Sequence, residues 1–304
     1  MSGPFFSIIL PSFNRAEQLM KAIDSVLGQT FTDFEVIIVD DGSTDNTKES
    51  IRALTDPRIN YFYKKNEERS IARNFGITKA RGNYVNFLDS DDYLYPNHLS
   101  VAYAKLSAGA SPDVVLLGYA VHDREGRLLT TRNTFTPRIS KEIIRENTIT
   151  CNCIIVKREI LKELIFLESP DAIISEDWYL WIRLAARFNF EVDNTITSIV
   201  IEHTGRSLNN LVGEKVEKSL LLVIKGLQED QQVKHFYKGM FKRFVAWNYC
   251  FIASCFIIQG QRSKAWNYLV CAIKEYLLIV TTPLFLGVLR VLIGLRKIPS
   301  QNNG

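Results

Sequence analysis

No glycine-rich phosphate loop stands anywhere in these 304 residues. GxGxxG does not follow the first apolar run, and GxxxxGK[ST] is missing altogether, which argues against dinucleotide and P-loop chemistry. Cysteine is scarce and odd in number: Cys151, Cys153, Cys250, Cys255 and Cys271 offer no pair of CxxC motifs, so neither a zinc site nor a disulfide framework is expected, and a reducing compartment fits. Cys151-Asn152-Cys153 reads as ordinary packing on one face of a strand. No internal repeat and no low-complexity stretch is present, which sets aside solenoids and disordered tails. Met1 to Leu10 lacks a basic region ahead of a long apolar stretch, so no secretion signal is expected.

What is there can bury a full core, since 46% of the residues are hydrophobic. Phe6–Leu10, Phe34–Val39, Ile59–Tyr63 and Tyr84–Leu88 are short apolar runs bounded by turn residues, as buried parallel strands are. Helical spacing separates them: Leu19, Ile23, Val26 and Leu27 behind a capping-box-like Asn14 and Glu17, then Thr44–Leu54 and Ser70–Lys79. This alternation predicts an α/β fold with a mostly parallel central sheet flanked by helices. A helix at His98–Ser107, strands at Val114–Tyr119, Cys151–Val156 and Thr197–Ile201, and a helix at Asp177–Phe188 are expected next, before helix dominates from Gly213. We therefore expect one α/β domain over 1–212, in two parts, 1–95 and 96–212. A helical appendage would follow over 213–304.

In such sheets ligands gather at the carboxyl ends of strands, and three polar clusters fall there: Pro11–Arg15, Asp40–Asp45 and Asp89–Asp92. Asp89-Ser90-Asp91-Asp92 crowds three carboxylates whose repulsion a hard divalent cation offsets. Isolated, the same residues would also suit a solvated capping loop. Asp40-Asp41-Gly42-Ser43 equally fits a turn and helix cap, or an acceptor for a nucleobase or ribose. Without a glycine loop, phosphate charge falls to the cation and to basic side chains such as Arg69 and Arg73.

Five blocks in order resemble the family-2 glycosyltransferases of the GT-A fold. They are Ser7-Ile8-Ile9-Leu10-Pro11-Ser12-Phe13-Asn14-Arg15, Ser25 to Thr30, Glu35 to Ser43, Ala72 to Ile77, and Gly82 to Asp92. The resemblance implies an inverting, metal-dependent transferase using a nucleotide sugar, UDP-linked above all, with Mn2+ or Mg2+; it makes 1–212 the catalytic domain, with a nucleotide-binding half 1–95 and an acceptor-binding half 96–212. By the same resemblance Asp41 contacts the base, Pro11 and Phe13 line that pocket, and Arg15 and Arg73 lie near the donor. Asp91 is the principal metal ligand, Asp89 touches the ribose or the metal shell, and His203 completes that shell or touches the diphosphate. Ser175-Glu176-Asp177-Trp178 looks like the family's acidic pair at a helix start. Asp177 is then the general base that an acceptor hydroxyl requires, with Glu176 and Trp178 toward the acceptor, a glycan or a lipid-linked glycan.

From Gln231 to Gly304 ten Lys or Arg stand against one acid, Glu275, so this tail carries +9 and the rest −5. Its Trp247, Trp266, Tyr249 and Tyr268 and the uncharged run Tyr276–Leu289 point to a membrane surface rather than nucleic acid, with monotopic attachment on the cytoplasmic face. Two other readings remain at this level. A sugar nucleotidyltransferase on a related sheet would want glycine in the first loop, and Pro11–Arg15 has none. A non-catalytic binder of sugar nucleotides would not need the acidic pair.

Overall fold

The structure is a computed structural model that describes residues 3–108, 111–202 and 213–294. Its described residues form two compact units, one of residues 3–170 with 176–202 and a second of 171–175 with 213–294.

In the first unit β1 (Phe6–Ser12) and β2 (Phe34–Asp40) are buried at all seven positions. Each has a strand on both sides and a covered sheet face above and below, so mostly apolar runs replace alternation, and the polar residues inside them meet each other, Ser7 Oγ donating to Glu35 Oε1 at 2.7 Å. β3 (Ile59–Tyr63) and β4 (Tyr84–Phe87) complete a parallel block in the order β3-β2-β1-β4. Between them lie α1 (Ala16–Leu27), which turns Ala16, Leu19, Ala22, Ile23 and Val26 inward, α2 (Thr47–Arg52) and α3 (Arg69–Lys79). The sheet continues through β5 (Tyr93–Leu94), β6 (Val114–His122), β7 (Leu128–Arg132), β8 (Ile154–Lys157) and β9 (Phe190–Ile201). The full order is β3-β2-β1-β4-β8-β6-β9-β5, with β7 on β6. α4 (His98–Ser107), α5 (Ile139–Glu142) and α6 (Glu176–Ala185) belong to this half. The expected α/β architecture with flanking helices is what forms.

Strand order, not strand direction, switches at β1: β2 and β3 lie on one side, β4 on the other, all four parallel. The loops after β1 and β4 therefore part, and a crevice opens at the carboxyl ends, where such sheets take ligands. α3 packs closely here, because Gly76 has no Cβ; one added there would sit 2.5 Å from Ile9 Cγ2. Gly76→Ala should cost about 1–3 kcal/mol by overpacking, read as a lowered midpoint in thermal or urea unfolding.

Two local expectations are corrected. Asn14 does not cap α1: the N-cap is Arg15, with no side-chain cap bond. Asn14 instead sits at φ 51° and accepts from Thr44 N at 2.8 Å, stitching the first loop to the second. Cys151–Cys153 is a 3-10 turn ahead of β8 rather than part of a strand. Both thiols are buried there.

The second unit is helical: α7 (Gly213–Glu229), α8 (Gln231–Phe236), α9 (Phe241–Ile258), α10 (Arg262–Glu275) and α11 (Pro283–Leu292). α9 is its core, carrying buried Ala246, Cys250, Ile252, Ala253 and Phe256. The segment 171–175 joins this unit, with Ser219 Oγ donating to Ile174 O at 2.8 Å and accepting from Ile174 N at 3.1 Å.

Candidate active site

The crevice is built by four loops, each fixed by its own backbone. After β2, Asp40 is fully buried and accepts from Tyr61 Oη at 2.6 Å and Ser43 N at 2.8 Å. It is a turn anchor. Gly42, at φ +89°, lets the chain pass Asn66 N, which an added Cβ would meet at 2.8 Å. That bend leaves Asp41 under the loop after β3, where Oδ1 accepts from Lys64 Nζ at 2.7 Å and Glu67 N at 3.2 Å. Burial works to lower the Lys64 pKa, but the hydrogen bonds it donates to Asp41 and Glu67 outweigh it and the net shift is upward. Asp41 is thus a fixed, charge-balanced carboxylate, 4% exposed. Pro11 is buried on the neighbouring strand β1, in register with Val39, whereas Phe13 stands 45% exposed.

After β4 the three aspartates diverge in environment. Asp92 is 3% exposed, and its Oδ1 accepts from Ile201 N at 2.9 Å, pinning the end of β9. Asp91 Oδ2 accepts from Arg15 Nη1, and Asp89 Oδ1 from Arg73 Nη2. One oxygen from each of the three lies within 4.8 Å of the others. A hard cation with oxygen ligands at roughly 2.0–2.6 Å accepts such a set, so the donors fit a divalent metal. Asp89 and Asp91 have side chains 28% and 13% exposed, which makes them the accessible pair; Asp92 is committed to the backbone.

From Asp89 a chain of charge runs inward. Arg73 is 1% exposed and bonds Asp89 on one side and Glu176 Oε1, at 3.1 Å, on the other. Arg69 Nε reaches the same Glu176 oxygen at 2.6 Å, and Arg73 lies 5.2 Å from the Phe166 ring centre. Glu176 begins α6, so this chain sets where Asp177 stands. Asp177 Oδ1 accepts from Trp178 N at 2.6 Å and from Asn147 Nδ2 at 3.2 Å. Among the described residues Oδ2 has no partner. Burial and the adjacent Glu176 carboxylate push the Asp177 pKa up to about 6, against the pull of Arg73 and Arg69. Nearby, burial pushes the Cys151 thiol well up, keeping it neutral.

The sequence-predicted residues are therefore partly gathered and partly re-sorted. Arg15 and Asp91 line a cleft of about 550 Å³ together with Lys21, Tyr93 and Arg124, and Asp89, its side chain 28% exposed, offers an oxygen within 4.8 Å of one from Asp91. Arg73 is buried and acts through Asp89 and Glu176 rather than as an open donor contact. Glu176, 2% exposed, is occupied by two arginines, so it has no open oxygen for an acceptor. Trp178 is core: 4% exposed, its Nε1 donates to Ile143 O at 2.6 Å. The start of α6 is covered on more than one side, so Glu176 and Trp178 are both buried on either side of Asp177. His203 lies outside the described residues. Sequence reasoning missed Asn147 and Lys64, and neither carries a motif.

The profile of the family described as Glycosyl transferase family 2 matches residues 7–165. A glycosyltransferase of Rickettsia bellii is 36% identical over 186 residues, covering 60% of this chain and 26% of its own length. The chain thus spans about a quarter of that relative. Among solved structures, Staphylococcus aureus TarS in complex with UDP-GlcNAc superposes with TM-score 0.63 at 18% identity, over 89% of this chain and 91% of that one. The mannosyltransferase PcManGT of Pyrobaculum calidifontis, in complex with GDP-Man and Mn2+, gives 0.59 at 17% identity, over 97% and 81%. These two show a shared fold.

Proposed function

The chain belongs to glycosyl transferase family 2, and on that footing we propose that it moves a sugar from a nucleotide sugar to an acceptor hydroxyl with inversion, using Asp177 as base. The observation that carries this reading is the Asp177 carboxylate, with Oδ1 held by two donors and Oδ2 without a partner among the described residues, next in the chain to Glu176, which Arg73 joins to Asp89. A base and a phosphate-side charge cluster are thereby tied into one rigid piece, as positioning demands.

Asp177 Oδ2 takes the acceptor proton as the acceptor oxygen bonds to the anomeric carbon. The bond from that carbon to the diphosphate oxygen breaks, and its electron pair leaves with the nucleoside diphosphate. Asp89 and Asp91 would hold a divalent ion, Mn2+ or Mg2+, which supplies neutralisation of charge on the departing diphosphate. Arg15 balances Asp91 on the crevice side. Asp41, with Lys64 beneath it, is the acceptor for a base or ribose group. UDP is our preferred donor class: TarS binds UDP-GlcNAc, although PcManGT binds GDP-mannose. A glycan or lipid-linked glycan is the proposed acceptor.

A nucleotide-sugar panel read by thermal shift tests the donor assignment. One donor should stabilise the protein with Mn2+ and not with EDTA; stabilisation by none of the UDP-, GDP- or TDP-sugars would remove it.

The pH profile tests the base. With a pKa near 6, kcat/KM should rise with pH through about 6 and level above, rather than near the ordinary 3.8. Glu176→Gln removes the neighbouring negative charge and leaves Arg69 and Arg73 less compensated. Its acid limb should move to lower pH, and its unfolding midpoint should fall because a buried pair is broken.

A further inference from the structure

The second unit carries a surface that the transferase reading does not use. α10 and α11 run antiparallel, since Arg262 at the start of α10 donates from Nη2 to Val291 O and Leu292 O, both at 3.0 Å, at the end of α11. A 3-10 turn over Leu277–Thr281 joins them, and Thr282 caps α11 by accepting from Phe285 N at 3.3 Å. Ile279 is fully buried and fastens this tip to the core. Leu277 and Leu278, by contrast, are 69% and 60% exposed. They open an uncharged run of fourteen residues from Tyr276 to Leu289.

Two adjacent leucines held outward by a buried isoleucine are costly in water, and covering them is favourable. Their surroundings indicate what covers them. Lys274 is exposed one turn before the tip, and Trp266 stands 49% exposed further along α10. Over residues 231–294 eight Lys or Arg face a single acid, Glu275. Leucine at the point, tryptophan and lysine behind it and an almost complete lack of acid match an anionic lipid surface, where apolar groups enter the acyl boundary and cations meet headgroups. α9, the described helix long and apolar enough to cross a membrane, is 61% buried as the unit's core, so the attachment is by a surface.

We propose that the α10–α11 tip is a monotopic docking surface for an anionic bilayer, with Leu277 and Leu278 inserted and Lys274 at the headgroups. This stands independently of the transferase assignment. The test is co-sedimentation of the full chain with phosphatidylcholine vesicles, with and without phosphatidylglycerol. Binding should require phosphatidylglycerol, weaken with salt, and fall at least ~10-fold in L277S/L278S. Lys274→Glu should weaken it less. Helical circular dichroism and an unchanged unfolding midpoint show that the variants fold. Failure of the wild type to bind phosphatidylglycerol vesicles would overturn the proposal, as would equal binding by L277S/L278S. Conversion of a dimer to a monomer by that double variant, with vesicle binding unchanged, would assign the tip to a second copy instead.

Discussion

Asp177→Asn should lower kcat by roughly 10²–10⁴-fold, the usual worth of a positioned general base, while nucleotide-sugar affinity stays at the wild-type value. The amide keeps the contact with Trp178 N and the shape of the site but accepts no proton. The same substitution should stabilise the protein at neutral pH. The Asp177 pKa is about 6 in the folded state and near 3.8 unfolded, so folding favours the protonated form. Its contribution is therefore fully present below about pH 4 and lost as pH rises through 6. Above that, the ionised carboxylate costs the fold up to about 3 kcal/mol, and asparagine removes that cost. A loss of turnover with a higher unfolding midpoint at pH 7.5, converging with wild type near pH 4, is the expected pair of results. An inactive variant with a lower midpoint at pH 7.5 would mean that Asp177 holds the fold together instead.

The second large effect separates Asp91 from Asp92. Asp91→Asn removes an accessible ligand and leaves Arg15 without its partner. That ion pair is part-exposed and worth no more than about 1 kcal/mol, so the fold should barely change. Turnover should drop by about 10²–10³-fold through lost charge stabilisation, and divalent ions should cease to stabilise the protein in the presence of donor. Asp92→Asn should do the reverse in kind. Its Oδ1 holds Ile201 N in the buried join between β5 and β9, so the main effect is a loss of about 1–3 kcal/mol in stability. Steady-state kinetics and urea unfolding on the two variants measure both. Equal behaviour of the pair would remove the distinction drawn here between ligand and anchor.

Much of this arrangement could be read along the chain. β1, β2 and β4 are continuous apolar runs ending in polar residues, and a buried parallel strand needs nothing more to declare itself. Asp41, Asp89 and Asp91 could be placed at strand ends on that basis alone. What stayed hidden depends on partners distant in sequence. Asn14 resembles a helix cap, but Thr44, thirty residues on, takes its side chain. Glu176 and Arg73 are 103 residues apart, so neither reveals that it is buried against the other, and both look like solvent-facing site residues. Trp178 follows Asp177 directly, yet one step around a helix turns it into the core. Asn147 belongs to no periodic element and is significant only because folding sets its amide on Asp177. Local pattern thus shows where the chemistry lies; the support beneath it comes from long-range pairing of charges.

The most direct measurement is release of nucleoside diphosphate from the donor selected by thermal shift, followed with acceptor, with Mn2+ or EDTA, in wild type, Asp91→Asn and Asp177→Asn. Release should require the metal and the acceptor, collapse in both variants, and give a product whose anomeric configuration is opposite to the donor's. Undiminished release in EDTA or in Asp177→Asn, retention of configuration, or release of pyrophosphate from a nucleoside triphosphate instead would contradict it.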